Sequence, residues 1–184
     1  MKIDIVQEKF VFFINKYKVF INGKLEYSAQ SRWFSLMPNI KIYDSNNEWF
    51  CDVKEHYGLN RILLNFQVYF RNQSTYEIKS ESFLEHNVYT GAEKIDFYEQ
   101  KRNFIGIFQG DDQIGIISKN KKSYLGGDKY SIELKNESIK PIAVIGFIIA
   151  FDNKFKEDNK RIVTVDYGNI HIRPIKEIDK KIRY

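Results

Sequence analysis

Residues 139–152 read IKPIAVIGFIIAFD, and this stretch decides the fold. Pro141 suits the first turn of a helix, where its missing N–H group is not needed. The residues after it are apolar on every face, and such a helix has to be surrounded by protein or lipid. As a helix, residues 139–151 reach about 20 Å, whereas the hydrocarbon core of a bilayer needs about 30 Å. We therefore predict a helix over 139–151 that is buried in protein. A long buried strand, favoured by the Ile and Val content, is the alternative.

The chain before this helix is typical of β-strands. Tyr17, Val19 and Ile21 alternate with more polar neighbours, which is the period-two pattern of a strand with one buried face. Asn22-Gly23 follows directly and predicts a type I′ hairpin turn, because both central residues of that turn need a positive φ. Similar turn signals recur about every 8 to 12 residues and indicate a sandwich or a barrel. Residues 80–93 show no pattern that defines an element.

The composition bounds the class of protein. The chain has 184 residues and a net charge of +5, which is consistent with one domain. Residues 1–152 carry 20 basic and 19 acidic residues, a net of +1, whereas residues 153–184 carry 9 and 5, a net of +4. This distribution argues against a uniformly basic nucleic-acid-binding body.

Cys51 is the single cysteine and has no partner for an internal disulfide, and residues 1–8 carry acids that a signal peptide would not have. We therefore expect a cytoplasmic protein.

Three stretches resemble a known superfamily. The strand at 10–20 with its Asn22-Gly23 turn, the sequence WFSL at 33–36 followed by IKIYD at 40–44, and the apolar run at 142–151 ending in Asp152 are similar to motifs of Tubby-like proteins. That superfamily includes the Tubby C-terminal domain, the phospholipid scramblases and the LURP-one-related proteins. The resemblance covers roughly residues 8–152.

The resemblance implies a fold and a type of function. It implies a mainly β protein, with a closed antiparallel β-barrel of about twelve strands around one buried helix at about 139–151. Residues 1–152 then form the barrel with its central helix, and residues 153–184 form a C-terminal extension of the same domain. Tubby-like proteins bind phosphoinositide headgroups through basic side chains on the barrel surface, and the resemblance implies no enzyme activity.

The residues themselves give no sign of catalysis, of a metal site or of a cofactor. His56, His86 and His171 have no metal-ligand spacing, and we expect them to be surface or half-buried side chains. Cys51 alternates with strand residues and is expected to be a small core side chain. The glycines form no phosphate-binding loop, and neither a nucleophile elbow nor a zinc-binding helix motif is present. We therefore expect no catalytic residue, no metal and no cofactor.

The first of two basic clusters is Lys119-Asn120-Lys121-Lys122, which is predicted to be a hairpin tip. Lysines on one short loop can contact phosphates or an anionic membrane, each contributing about 1 kcal/mol near such a surface. The alternative is a solvated turn whose lysines protect a sheet edge from aggregation. The candidate anion-binding residues of this cluster are Lys119, Lys121 and Lys122.

The second basic cluster is the tail, residues 173–184. Ile175, Ile178 and Ile182 have the spacing of one helical stripe, so the tail is predicted to be a short basic amphipathic helix, preceded by a strand at 161–167. A helix this short needs a surface to fold against, such as an anionic membrane or a partner. The alternative is that the isoleucines pack back on the barrel of the same chain, or that the tail frays. The candidate anion-binding residues here are Arg173, Lys176, Lys180 and Lys181.

Together these features predict a non-enzymatic domain that binds an anionic membrane surface or a phosphorylated ligand. Such a protein is cytoplasmic and peripheral at the membrane, with no nucleic-acid partner. The alternative is a protein-interaction or regulatory scaffold without a lipid ligand, using exposed aromatic residues such as Trp33 or Trp49. A third class, an enzyme or a binder of an apolar ligand inside the barrel, is disfavoured because the helix already fills the interior.

Overall fold

The fold is a closed barrel of twelve β-strands with one α-helix inside it. The computed structural model describes residues 1–9, 14–32, 39–56, 63–100, 104–120, 127–135 and 139–155. In chain order, these residues form β1 (Lys2–Lys9), β2 (Ile14–Ile21), β3 (Lys24–Arg32), β4 (Asn39–Asp44), β5 (Trp49–Glu55), β6 (Asn65–Phe70), β7 (Thr75–Ser80), β8 (Glu85–Tyr89), β9 (Lys94–Gln100), β10 (Phe104–Gln109), β11 (Asp112–Asn120), β12 (Lys129–Leu134) and α1 (Pro141–Phe155).

Every strand pairs antiparallel with its neighbours in sequence, and β1 pairs with β12 to close the sheet. The closing ladder places Ile3 opposite Ile132 and Ile5 opposite Tyr130. Because all twelve strands are paired on both sides, this sheet has no open edge. The predicted closed antiparallel barrel of about twelve strands is confirmed.

The helix lies inside the barrel. Every residue from Ile142 to Asp152 is buried. Phe147 stacks on Phe97 of β9 at 3.9 Å between ring centroids, while Gly146 faces β6 and β7, where an added Cβ would be 3.5 Å from Val68. Strands on different sides of the barrel therefore contact the same helix, which explains why it is apolar all round. The predicted buried helix is confirmed, and among the described residues no helix is long and apolar enough to cross a membrane.

The two ends of the barrel differ in how their strands are connected. At the end where the helix begins, turns of two to four residues join the strands at 22–23, 45–48, 71–74, 90–93 and 110–111. We call this the hairpin end. Each of these turns has a residue with positive φ, as the Asn22-Gly23 signal predicted. The six are Asn22, Gly23, Asn47, Gln73, Gly91 and Gly110. We call the opposite end, where the helix ends at Phe155, the polar end.

Several boundaries differ from those that the sequence predicts. The helix runs from Pro141 to Phe155 rather than over 139–151, because Asn153 and Lys154 make contacts with the barrel that continue its last turn. The boundary predicted at residue 152 therefore falls within the helix. Lys119 and Asn120 are not in a hairpin tip, since they pair with Tyr130 and Lys129 as the end of β11. Residues 80–93, which had no defined pattern, contain the short strand β8.

Candidate functional site

A buried carboxylate, Asp152, lies at the centre of the polar end. It is 1% exposed. Its Oδ2 accepts hydrogen bonds from Tyr17 Oη at 2.8 Å and from Gln7 Nε2 at 3.0 Å, and its Oδ1 accepts one from Tyr130 Oη at 2.6 Å. The donors come from β1, β2 and β12, which are neighbours across the closure of the barrel. Asp152 therefore joins the end of the helix to the seam where the sheet closes.

A carboxylate at this position is costly in two respects. Burial removes its hydration, and the carboxyl end of a helix already carries a partial negative charge. Three hydrogen bonds and the ammonium of Lys119, 3.7 Å from Oδ1, offset these costs. Burial, together with the charge of Asp152, raises the pKa of both Tyr17 and Tyr130 above its usual range. Both phenols consequently remain protonated and act as hydrogen-bond donors.

The ammonium of Lys119 is paired within the protein. Its Nζ is 2.8 Å from Asp128 and lies over the ring of Tyr130, 5.1 Å from the centroid. Glu99 of β9 is also close enough for the charge of Lys119 to lower the pKa of its carboxyl, although burial raises it by more. The interior of the polar end thus contains two described lysines and four described carboxylates. They are Lys119, Lys154, Glu55, Glu99, Asp128 and Asp152.

The seam beside Asp152 is closed by an unusually close backbone approach. A Cβ on Gly127 would lie 2.0 Å from the carbonyl oxygen of Gln7, so only glycine fits there. Next to it, the N–H of Gln7 donates to the carbonyl of Asp128 at 3.0 Å. Gln7 therefore fixes the seam with its backbone and contacts Asp152 with its side chain.

The last turn of the helix extends these contacts to the other side of the barrel. Asn153 Oδ1 accepts hydrogen bonds from Ser31 Oγ at 3.0 Å and from Asn15 Nδ2 at 3.4 Å. Lys154 makes an ion pair with Glu55 of β5. A lysine in the last turn also interacts favourably with the helix dipole. Through hydrogen bonds and ion pairs, three consecutive residues of the helix thus contact six strands of the barrel wall.

A buried histidine lies next to this network. His86 of β8 is fully buried, which contradicts the expectation of a surface or half-buried side chain. Its ring packs against Phe147, Phe151 and Phe155 of the helix, and its Nδ1 is 2.7 Å from Ser80 Oγ. Burial lowers the pKa of His86 to about 4. The ring is therefore neutral at pH 7 and serves as part of the aromatic packing.

The candidate residues from the sequence are only partly within the described chain. Lys119 lies in the polar end, paired as above, and Cys51 is a buried core residue as predicted, with its pKa raised to about 12 by burial. His56 is exposed and bonded to Tyr69. The other candidates lie outside the described residues. They are Trp33, Lys121, Lys122, the strand predicted at 161–167, His171, Arg173, Lys176, Lys180 and Lys181.

Sequence reasoning did not identify Gln7, Tyr130 and Asp128 as members of the network. Tyr17 was identified as an inward-facing strand residue and Asp152 as the end of the helix, but nothing in their spacing brings them together. One usable signal was present: Gln7 occupies an inward position of β1, where the other inward residues, Ile3 and Ile5, are apolar. A polar side chain at such a position needs a buried partner.

The arrangement is suited to holding the helix in place, and it contains no obvious set of reacting groups. Asp152 accepts three hydrogen bonds, and the phenols of Tyr17 and Tyr130 are protonated. Among the described residues, no group of three or more His, Cys, Asp or Glu could hold a metal ion. No protein-family model, curated protein or solved structure matches this chain.

Proposed function

We propose that this chain is a non-enzymatic, Tubby-like binding domain whose polar end faces anionic phosphate groups, as on the surface of a membrane. The ligand chemistry is a cluster of phosphate oxygens, and the binding groups are lysines and arginines at the rim of the polar end. The protein is then cytoplasmic and peripheral at the membrane. The barrel and its helix act as a rigid support for these side chains.

One observation carries this proposal, namely that the chain leaves the same end of the barrel before each basic cluster. Lys121 and Lys122 follow Asn120, the last residue of β11, and residues 156–172, which lead to the tail, follow Phe155, the last residue of the helix. The Asp152 network holds β1, β2 and β12 to the helix at this end. Cations that start from one end of a rigid barrel can act on one anionic surface together, and each contributes about 1 kcal/mol near it.

Because Lys119 is paired within the protein, its role differs from that of the other lysines of the first cluster. Its ammonium is bonded to Asp128 and lies near Asp152, so it supports the fold of the polar end. Lys121 and Lys122 are therefore the residues of this cluster that we assign to the anion. Lys119 is therefore not used to test anion binding, because reversing its charge would disrupt the fold of the polar end.

Binding is tested by co-sedimentation with phosphatidylserine vesicles at low salt. We expect Lys121→Glu/Lys122→Glu to weaken binding by about 30-fold, since two contacts of about 1 kcal/mol each are lost. The matched control is Lys24→Glu/Arg71→Glu, which changes the net charge equally at the hairpin end. Both control residues are exposed, with side chains 77% and 74% accessible. The control should bind as the unmodified chain does.

Calorimetric titration with inositol hexaphosphate separates the two sources of phosphate. Binding to vesicles alone identifies a membrane surface, and binding to the soluble compound alone identifies a phosphorylated ligand. The proposal fails if neither probe binds at low salt. It also fails if the two charge-reversal variants lose binding equally, because the net charge rather than the polar end would then account for attraction.

An interaction scaffold is a second candidate, and Trp49 favours it. This residue is 39% exposed at the hairpin end, and its Nε1 is bonded to Asp52 at 2.8 Å. Tryptophan is enriched among the residues that dominate protein interfaces. A chain that binds neither phosphate probe, but retains a protein partner that Trp49→Ala releases, would support this candidate instead.

A further inference from the structure

A small apolar cluster lies on the outer face of the barrel, away from the main core. It consists of Tyr98 of β9, Phe104 and Phe108 of β10, and Ile116 of β11. Tyr98 and Phe108 pack edge to face, 5.4 Å between ring centroids. Gly106 lies between Tyr98 and Ile116 in the strand register. We call this cluster the outer patch.

The strand register shows that the outer patch faces away from the helix. Ile105 and Ile107 of β10 belong to the main core, so Phe104, Gly106 and Phe108 point to the opposite side of the sheet. Phe97, which stacks on the helix, likewise places Tyr98 outside. A side chain on the outside of a single-layered barrel is expected to be exposed.

These outward side chains are nevertheless buried. Tyr98 is 6% exposed, Phe108 3% and Ile116 7%, and Asn87 in the neighbouring β8 is 0%. All described elements belong to the barrel wall, to its turns or to the helix inside it, and none of them lies over this face. The outer patch is therefore an apolar surface on the outside of the barrel whose side chains are shielded from solvent.

The outer patch is bordered by acids. Tyr98 Oη donates to Glu85 Oε1 at 3.3 Å, and Asp96 faces outward in the next position of β9. Burial raises the pKa of Tyr98 to about 12, and the negative charges of Asp96, Glu85 and Asp111 act in the same direction. Lys94 Nζ pairs with Asp96 at 3.0 Å, but with Glu85 and Asp111 the border remains negative, so a ligand of this face should combine an apolar stripe with positive charge.

We propose that the outer patch is the docking site for the tail, residues 173–184 of the same chain. The tail carries five basic and two acidic residues, a net of +3, and the stripe Ile175, Ile178 and Ile182. Its apolar stripe matches the outer patch, and its charge is opposite to that of the border. This inference does not rest on the proposed function.

The chain between the helix and the tail is long enough for this docking. The helix ends at Phe155, and residues 156–172 span up to about 56 Å when fully extended. A six-residue strand such as β10 is only about 20 Å long. The tail can thus pass over the rim of the polar end and lie along the outside of β9, β10 and β11.

Docking determines which side chains of the tail face away from the barrel. At about 100° per residue, Lys176 and Lys180 lie about 100° and 140° from Ile175 around the helix. With the isoleucine stripe on the outer patch, these two lysines face away from the barrel. The docked tail would then display them to an anionic surface, so docking is compatible with the anion binding proposed above.

Chemical cross-linking of the full chain without lipid tests the docking. Ser118 of β11 faces outward beside Phe104, so Ser118→Cys with Ile178→Cys places one thiol at the outer patch and one on the tail. The control pairs Ile178→Cys with Lys41→Cys, since Lys41 is exposed on β4 on the far side of the barrel. Cys51 should not react, because burial raises its pKa to about 12. A short bismaleimide then joins only the introduced thiols.

We expect the Ser118→Cys pair to form the intramolecular cross-link faster than the control, on the order of tenfold or more, because docking raises the effective concentration. Adding Ile182→Asp, which leaves the barrel unchanged, should remove this difference. Equal rates for the two pairs, or a difference that survives Ile182→Asp, would overturn the proposal. A cross-linked dimer would also overturn it, since a second copy would then occupy the outer patch. None of these outcomes depends on binding to vesicles.

Discussion

The two ends of the barrel are held together in different ways. At the hairpin end, turns make hydrogen bonds mainly within a few residues, as in the contacts of Asp44 Oδ1 with the N–H groups of Asn46 and Glu48. The turn at 22–23 also bonds to the start of β1, where Lys2 N–H donates to Asn22 Oδ1 at 2.9 Å. At the polar end, one carboxylate collects donors from three strands. Asp152 lies 145 residues from Gln7 and 135 from Tyr17 along the chain. One end consists of separate local turns, and the other end is a single network.

This difference predicts how each end responds to substitution. In a set of separate turns, the loss of one turn leaves the others intact, so effects are small and additive. In a buried network, the loss of one acceptor leaves several donors without partners, so the effect is large and non-additive. The stability of the barrel should therefore depend mainly on its polar end.

The largest effect is expected for Asp152→Ala. It leaves the buried hydroxyls of Tyr17 and Tyr130 and the side-chain amide of Gln7 without their acceptor, and we expect a loss of about 3–5 kcal/mol in the free energy of unfolding. The measurement is urea denaturation, with Asp44→Ala at the hairpin end as the matched control. Asp44 is an acceptor of exposed backbone groups, so its loss should be about 1 kcal/mol or less.

A double-mutant cycle shows whether the network acts as a unit. Tyr130→Phe should cost less in the Asp152→Ala background than in the unmodified chain, because its hydrogen bond is already lost. Equal losses for Asp152→Ala and Asp44→Ala would remove the distinction between the two ends.

An intermediate effect is expected from acid. The pKa of His86 is lowered to about 4 in the folded chain, compared with about 6.5 when unfolded, so the unfolded state binds more protons between these values. The stability due to neutral His86 is fully present above pH 6.5 and is lost as the pH falls towards 4. Between pH 7 and pH 5, the unmodified chain should lose about 2 kcal/mol more than His86→Phe.

Urea midpoints at the two pH values measure this difference, and His56→Phe is the control. His56 is an exposed histidine, so its replacement controls for the general effect of exchanging a histidine for phenylalanine. If His86→Phe and the unmodified chain change equally with pH, the histidine is not the group that makes the polar end sensitive to acid.

The smallest effect is expected at the hairpin end, for Gly91→Ala. Gly91 has a φ of +91°, and an added Cβ would meet no atom within 4 Å, so only backbone strain opposes the change. We expect thermal denaturation to reveal a loss of about 1 kcal/mol. Gly91→Asn should lose less, because asparagine tolerates a positive φ better than alanine does. A loss as large as that of Asp152→Ala would show that this turn, too, is part of a larger unit.

The two ends also differ in how much of them the sequence predicts. Asn22-Gly23 predicts its turn because the required φ angles are properties of those two residues. The all-apolar run after Pro141 predicts a buried helix for a similar reason. The regular strands and turns predict a sandwich or a barrel, and the closed barrel was what the Tubby-like resemblance implied. The Asp152 network depends on which inward positions meet across the seam, and this is fixed by the register of β1 against β12. No local pattern encodes that register, so Gln7 and Tyr130 were missed.

The position of the helix after all twelve strands has a consequence for synthesis. The twelve strands leave the ribosome before the helix around which they close. The sheet cannot close until β12 has been synthesised, because β12 is the strand that pairs with β1. Until then the inward face of every strand lacks its main partner, and the early strands have open edges. Such contacts between distant residues form slowly, and exposed strands are prone to aggregate. Translation of β12 and the helix should therefore decide how much of the barrel reaches the folded state.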